Sequence, residues 1–142
     1  MKTVKQILDA KGYQVWSITP NASVYDALRL MGEKEIGALV VVEAAQLVGV
    51  ISERDYARKV ILRGKTSRET SVHEIMTAAV HTTTPEQTVQ ECMKLMTEQR
   101  IRHLPVLNGG NLIGMISIGD LVKAIIDEQQ FIIEQLESYI TR

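Results

Sequence analysis

The chain has 142 residues, 45% hydrophobic and 23% charged, and its 16 basic against 17 acidic side chains leave a net charge of −1. That length fits one domain or two small packed halves, and that composition excludes the disordered and fibrous classes. With no general basic field, nucleic acid and anionic lipid are excluded as principal partners, and the longest apolar runs, such as Ala38 to Val42, are too short to cross a bilayer. The single cysteine, Cys92, permits no internal disulfide, and the opening Met1-Lys2-Thr3-Val4-Lys5-Gln6 is charged where a secretory signal needs an apolar core. A soluble cytoplasmic protein is expected.

From the N-terminus, a short lead-in, Val4-Lys5-Gln6-Ile7-Leu8, precedes a Thr19-Pro20 turn. Ser23 with Asp26 three residues on predicts a capping-box start to a helix whose apolar face is Val24, Ala27, Leu28 and Met31. The uninterrupted run Ala38-Leu39-Val40-Val41-Val42 reads as a strand buried on both faces, followed after a turn by a second strand, Leu47-Val48-Gly49-Val50-Ile51. Ser52 ends that strand and opens another helix. The polar, basic stretch Arg63-Gly64-Lys65-Thr66-Ser67-Arg68 then stops it, with Gly64 placed as a terminator.

The same order then repeats. Val72-His73-Glu74-Ile75-Met76 echoes the lead-in, and residues 80–125 align without a gap on 15–60, with 15 identities in 46 positions, against about three by chance. Thr88 with Glu91 copies the helix start, Val89, Cys92, Met93 and Met96 copy its apolar face, and Asn108-Gly109-Gly110-Asn111 is a hairpin turn between the second pair of strands. Ser117 copies Ser52. Each unit reads strand, helix, strand, strand, helix, and about 65 residues is too small a unit to hide its apolar face alone. After Asp120 the pattern stays helical to the end, with Val122, Ile125, Ile126, Ile132, Ile133, Leu136, Tyr139 and Ile140 on one stripe interrupted by Gln129.

The repeated combination of Thr-Pro turn, hydrophobic hairpin, glycine, apolar pair and Ser-x-x-Asp resembles the cystathionine-β-synthase-type (CBS) domain, and two in tandem resemble a Bateman module. Gly37-Ala38-Leu39-Val40-Val41 and Ser52-Glu53-Arg54-Asp55-Tyr56-Ala57-Arg58 are similar to segments of stand-alone CBS-pair proteins. The resemblance implies a mixed α/β (α+β) fold: two βαββα repeats related by a pseudo-twofold axis, with an extended C-terminal helix. The expected division is residues 1–67, 68–127 and 128–142. It also implies two clefts between the sheets that take adenosine-containing ligands such as AMP, ADP, ATP, NAD or S-adenosylmethionine, with no cofactor required.

Ser52-x-x-Asp55 and Ser117-x-x-Asp120 admit two readings. One is an ordinary capping box; the other is a ligand site, in which unpaired helix-start N–H groups attract phosphate and the carboxylate accepts both ribose hydroxyls, the role this Asp holds in CBS pairs. Arg102 and His103, before Leu104-Pro105-Val106, are either solvated side chains at a strand start or phosphate contacts, with His103 carrying charge near neutral pH. Their counterparts Gly37 and Ala38 leave room for adenine, and the resemblance adds Ile36, Ile101 and Pro105 to the candidate lining. Arg54, Arg58, Lys59, Arg63, Lys65 and Arg68 form a basic run that is either a solvated helix face or, at Arg54 above all, a second phosphate contact; Gly119 stands at the matching place in the other repeat.

Tyr13 and Ala78 lie on the lead-ins that, in related modules, cross the other repeat's cleft, so both are adenine candidates, with core packing the alternative for the tyrosine. Trp16, His73 and His81 are weaker signals. Cys92 reads as a buried thiol, and the three histidines lack metal-ligand spacing. No Gly-x-Ser-x-Gly, His-Glu-x-x-His or P-loop is present, so catalysis is not expected. Two readings remain: a regulatory module that senses adenine nucleotides and passes occupancy to a partner protein, or a ligand-independent interaction module. A homodimer using the C-terminal helix is expected.

Overall fold

The structure is a computed structural model describing residues 2–141; Met1 and Arg142, the outer ends of the first and last expected segments, lie outside the described residues. Its elements run α1 (Val4–Lys11), β1 (Ser17–Ile18), α2 (Val24–Lys34), β2 (Ala38–Glu43), β3 (Gln46–Ser52), α3 (Glu53–Lys59), a 3-10 turn (Ile61–Arg63), α4 (Val72–Ile75), α5 (Val89–Gln99), β4 (His103–Asn108), β5 (Asn111–Ser117) and α6 (Ile118–Ile140). They gather into two units, Val15–His81 and Met1–Gln14 with Thr82–Arg142. Each lead-in thus packs in space on the strands of one unit: α4 joins β2 and β3, and α1 joins β4 and β5.

In the first-repeat unit, β1 runs parallel to β2 and β2 antiparallel to β3. Ala38 to Val41 are buried without interruption, as a strand covered on both faces must be. The core joins Val24, Ala27 and Met31 of α2 to Leu39, Val41 and Ile51 of the sheet and to Val72 and Ile75 of α4. Gly64, at φ 69°, terminates the 3-10 turn as expected. Ser23 caps α2, its Oγ accepting from Asp26 N at 3.1 Å, but the reciprocal bond of a capping box is absent. The Asp26 carboxylate lies 3.8 Å from Arg29 instead, whereas Thr88 and Glu91 at the start of α5 make both bonds.

The second-repeat unit has a two-stranded sheet, β4–β5, and its expected opening strand is a single parallel bridge between Thr83 and Val106. Val4, Ile7 and Leu8 of α1, Val89, Cys92 and Met96 of α5, and Leu121 and Ala124 of α6 close over Leu104, Val106 and Ile116. Both hairpins carry the same irregularity of register, and both turns use two consecutive left-handed residues, the type I′ geometry. Gly109 and Gly110 adopt it freely; Ala44 (φ 50°) and Ala45 (φ 63°) adopt it with a Cβ in the way.

The paired glycines of the repeat mark where a lead-in lies on its hairpin. A Cβ on Gly114 would stand 2.8 Å from Leu8 Cδ2, and one on Gly49 would stand 2.6 Å from Met76 Sδ and 3.1 Å from the Thr77 carbonyl. Leu8 and Met76 are matching residues of the two lead-ins, so one packing solution is used twice. Helix α6 is continuous from Ile118 to Ile140, and position 128 falls inside it without a break. Its proximal turns are anchored by Leu121 and Ala124; beyond Asp127 the apolar side chains are exposed, Tyr139 at 76% and Ile140 at 79%.

Candidate functional site

In each unit the candidate residues meet where the second hairpin strand turns into a helix. Ala38 stands directly across the ladder from Ser52, and His103 directly across from Ser117. One residue earlier, the Gly37 carbonyl accepts from Glu53 N at 3.1 Å and the Arg102 carbonyl from Ile118 N at 2.9 Å. The register of the hairpin therefore fixes the strand-start pair, Gly37-Ala38 or Arg102-His103, against the first turn of the following helix. Ile36 and Ile101, just before these pairs, pack on their respective cores, and Pro105 is buried within β4.

Both Ser-x-x-Asp motifs are full capping boxes. Asp55 Oδ2 accepts from Ser52 N at 2.9 Å and from Ser52 Oγ at 3.1 Å, while its Oδ1 lies 3.1 Å from Lys59 Nζ. Lys59 also donates to the Ile75 carbonyl, tying α3 to α4. Asp120 is held differently. Its Oδ2 accepts from Ser117 N at 2.8 Å and from Lys11 Nζ at 2.8 Å, and Lys11 donates as well to the Met115 carbonyl at 3.0 Å. A carboxylate offers about four lone-pair positions. These contacts draw on both oxygens of Asp55 and on Oδ2 alone of Asp120, which leaves the Asp120 motif the better prepared to take a diol.

Lys11 escaped the sequence reading. It sits in the ordinary basic last turn of α1, and its partner is 109 residues away, so no local pattern marks it. It brings a second cation, besides Arg102, close enough to act on His103. The imidazole of His103 is pushed below its ordinary pKa, chiefly by burial; the Asp120 carboxylate pulls it back upward, and the Lys11 and Arg102 charges, each a weaker influence, push it down again. His103 is therefore neutral at neutral pH, correcting the expectation of a charge there, and it can offer a phosphate one N–H donor rather than a cation. Arg102 is exposed.

Other candidates fall into place singly. Arg54 is half-buried in the first turn of α3, Arg58, Arg63 and Lys65 are exposed, and Arg68 stacks on Tyr25 with Cζ 4.0 Å from the ring centre. Ala78 is exposed and follows Thr77, which pairs with Val50 of β3; Tyr13 is 45% exposed, its hydroxyl donating to Asp9 Oδ1 at 2.6 Å. Trp16 lies under Lys34, and His73 is hydrogen-bonded to the Pro20 carbonyl, a turn-closing role, while His81 is exposed. Gly119 is exposed in the first turn of α6. Cys92 is buried with Sγ 3.3 Å from Thr83 Oγ1, and burial raises its thiol pKa, which keeps it an unreactive thiol. Among the described residues no helix is long and apolar enough to cross a membrane, and no three His, Cys, Asp or Glu side chains gather as a metal site.

These repeated motifs have known counterparts. A family profile for the CBS domain matches residues 4–62 and again 72–127. The mitochondrial CBS domain-containing protein CBSX3 of Arabidopsis thaliana is 41% identical over 148 residues, covering 97% of this chain and 71% of its own. A solved structure of a CBS-domain protein from Burkholderia ambifaria, provisionally described as acting in signal transduction, is 56% identical with a TM-score of 0.88 over 90% of this chain and 96% of its own. The CBS pair of protein MJ0100, solved with 5′-methylthioadenosine and S-adenosyl-L-methionine, has a TM-score of 0.79 over 90% of this chain and 98% of its own, and at 23% identity shows the fold alone. With both repeats matched from residue 4 to residue 127, the chain belongs to the CBS-domain family as a tandem pair.

Proposed function

We propose that the chain is a regulatory module that binds an adenosine-containing phosphate ligand, AMP, ADP, ATP or NAD, at its two Ser-x-x-Asp motifs and passes occupancy to a partner protein. The observation that carries this reading is the repetition of one constellation in both units: a strand-start pair fixed by ladder register against a capped helix start whose third residue is an Asp held at the same place. A capping box alone would explain either copy. It would not explain the cluster of Lys11, Arg102 and His103 beside Asp120, a donor set suited to phosphate.

In this reading Asp120 and Asp55 take the ribose hydroxyls, Ser117 and Ser52 with the helix-start N–H groups face the first phosphate, and Lys11, Arg102 and His103 take phosphate oxygens in the second-repeat motif. Arg54 does so in the first. Gly37 and Ala38, with Ile36, Ile101, Pro105, Tyr13 and Ala78, supply small or apolar surface for the base. The fold accommodates adenosine compounds in MJ0100, which speaks for its capacity and not for residues here. The mechanism is linkage: a ligand that binds one conformation of the module more tightly shifts the population toward it, and a partner that recognises this conformation feels the change. A second copy of the chain is the other partner, for which the exposed half of α6 supplies apolar surface. The test is mass spectrometry of small molecules released on denaturing the purified protein. An adenosine nucleotide in stoichiometric amount is expected; release of a ligand without adenosine would overturn the assignment.

A further inference from the structure

Helix α6 carries two stripes with different fates. Leu121, Ala124, Ile125 and Glu128, spaced three and four apart, are its buried or half-buried face, and Leu121 and Ala124 belong to the core of the second-repeat unit. A second stripe lies beside it: Val122, Ile126, Gln129, Ile133, Leu136 and Ile140, spaced 4-3-4-3-4 without a slip. All six are exposed, Ile126 and Leu136 each at 57%. A 4-3 alternation is the period of a coiled-coil seam, with Ile126, Ile133 and Ile140 at the a positions and Val122, Gln129 and Leu136 at the d positions.

From this spacing we propose that α6 pairs with α6 of a second copy as a parallel, in-register two-stranded coiled coil centred on Gln129. The occupant is a second copy because the stripe is self-complementary: a seam of this period is filled by an identical seam. Ile at all three a positions with Leu136 at a d position is the combination that favours two parallel strands; the other d positions are Val122 and the polar Gln129. Gln129 decides the direction. Parallel and in register, the two Gln129 amides face one another and can hydrogen-bond; in the antiparallel alignment that also stacks all six positions, Gln129 faces Ile133 and a buried amide goes unpaired. The seam from Val122 to Ile140 is about 28 Å long at 1.5 Å per residue. It needs no separate nucleation, because its first turns are already fixed by Leu121 and Ala124 in the folded unit. Ile132 and Tyr139, at the flanking g positions, extend the apolar contact toward the partner helix. The proposal stands apart from the nucleotide reading.

The test uses the full chain with single substitutions on the exposed stripe. Wild type should sediment as a dimer at micromolar concentration, and Leu136→Asp should weaken dimerisation at least tenfold while leaving the circular dichroism of the folded chain unchanged. Gln129→Cys should form a disulfide-linked dimer under mild oxidation, with wild type, whose only thiol is buried, as the control. A monomeric wild type, a Leu136→Asp protein that dimerises normally, or a dimeric Gln129→Cys protein that does not cross-link would each overturn the proposal.

Discussion

Lys11 Nζ lies 2.8 Å from Asp120 Oδ2, joining the last turn of α1 to the first turn of α6 across 109 residues of sequence. Both groups are partly exposed, so the pair itself contributes at most about 1 kcal/mol to stability. Its consequence is placement, since Lys11 holds one carboxylate oxygen of Asp120 and sets a cation near His103. Replacing Lys11 by Met should leave the fold nearly as stable and weaken AMP severalfold while changing adenosine binding little. Titration calorimetry with both compounds reads the difference; equal losses for the two would mean that Lys11 only orients Asp120.

The two Asp residues should not be equivalent. Asp120→Ala removes a carboxylate with one oxygen outside its capping bonds, whereas Asp55 has both oxygens engaged by Ser52 and Lys59. Loss of hydrogen bonds to a charged acceptor costs about 1.5–3 kcal/mol, roughly ten- to a hundredfold in affinity. That loss is expected for Asp120→Ala, and a smaller one for Asp55→Ala. Unchanged isotherms for both variants would return the motifs to capping boxes.

His103 should make the protein acid-sensitive. Its folded pKa is lowered, so below about pH 6.5 the unfolded chain takes up a proton that the folded chain resists, and stability falls as pH drops from there toward the folded value. Above pH 6.5 this contribution is fully present. His103→Gln should therefore flatten the decline in urea midpoint between pH 7 and 5. Parallel curves for the two proteins would contradict the assignment of burial as the dominant cause.

Two backbone predictions follow from left-handed residues and close approaches. Replacing Ala44-Ala45 by Asn-Gly relieves two Cβ groups in the type I′ turn and should stabilise by about 1 kcal/mol, seen as a higher urea midpoint. Gly49→Ala should destabilise by about 1–3 kcal/mol, and by more than Gly114→Ala. At Gly49 the new methyl meets the Thr77 carbonyl as well as Met76, while at Gly114 it meets only the movable end of Leu8.

Much of the fold could be read from the chain because the repeat doubled each signal: Ser52 and Ser117, Gly49 and Gly114, and the two buried strands each supported the other. What escaped was whatever depends on distance in sequence. A repeat aligned on itself cannot say which twin each lead-in packs on; the family resemblance alone implied that each crosses the other repeat, and the specific contact of Leu8 over Gly114 was not visible. Lys11 has no sequence neighbour that hints at Asp120. At Ser23 the spacing to Asp26 fits a capping box, but Arg29, one turn on, competes for the carboxylate. The charge state of His103 depended on burial that no linear pattern reports.

The central claim is that these motifs bind adenosine nucleotides, and calorimetric titration of the 142-residue chain with AMP, ATP and NAD, paired with thermal unfolding, tests it most directly. A ligand that binds only the folded state adds about 2.7 kcal/mol at a hundred times its Kd. The account predicts saturable heat with at least one of the three, a matching rise in Tm, and loss of both in Asp55→Ala/Asp120→Ala. No saturable heat and no Tm shift at millimolar concentrations of all three would contradict it and leave a ligand-independent interaction module.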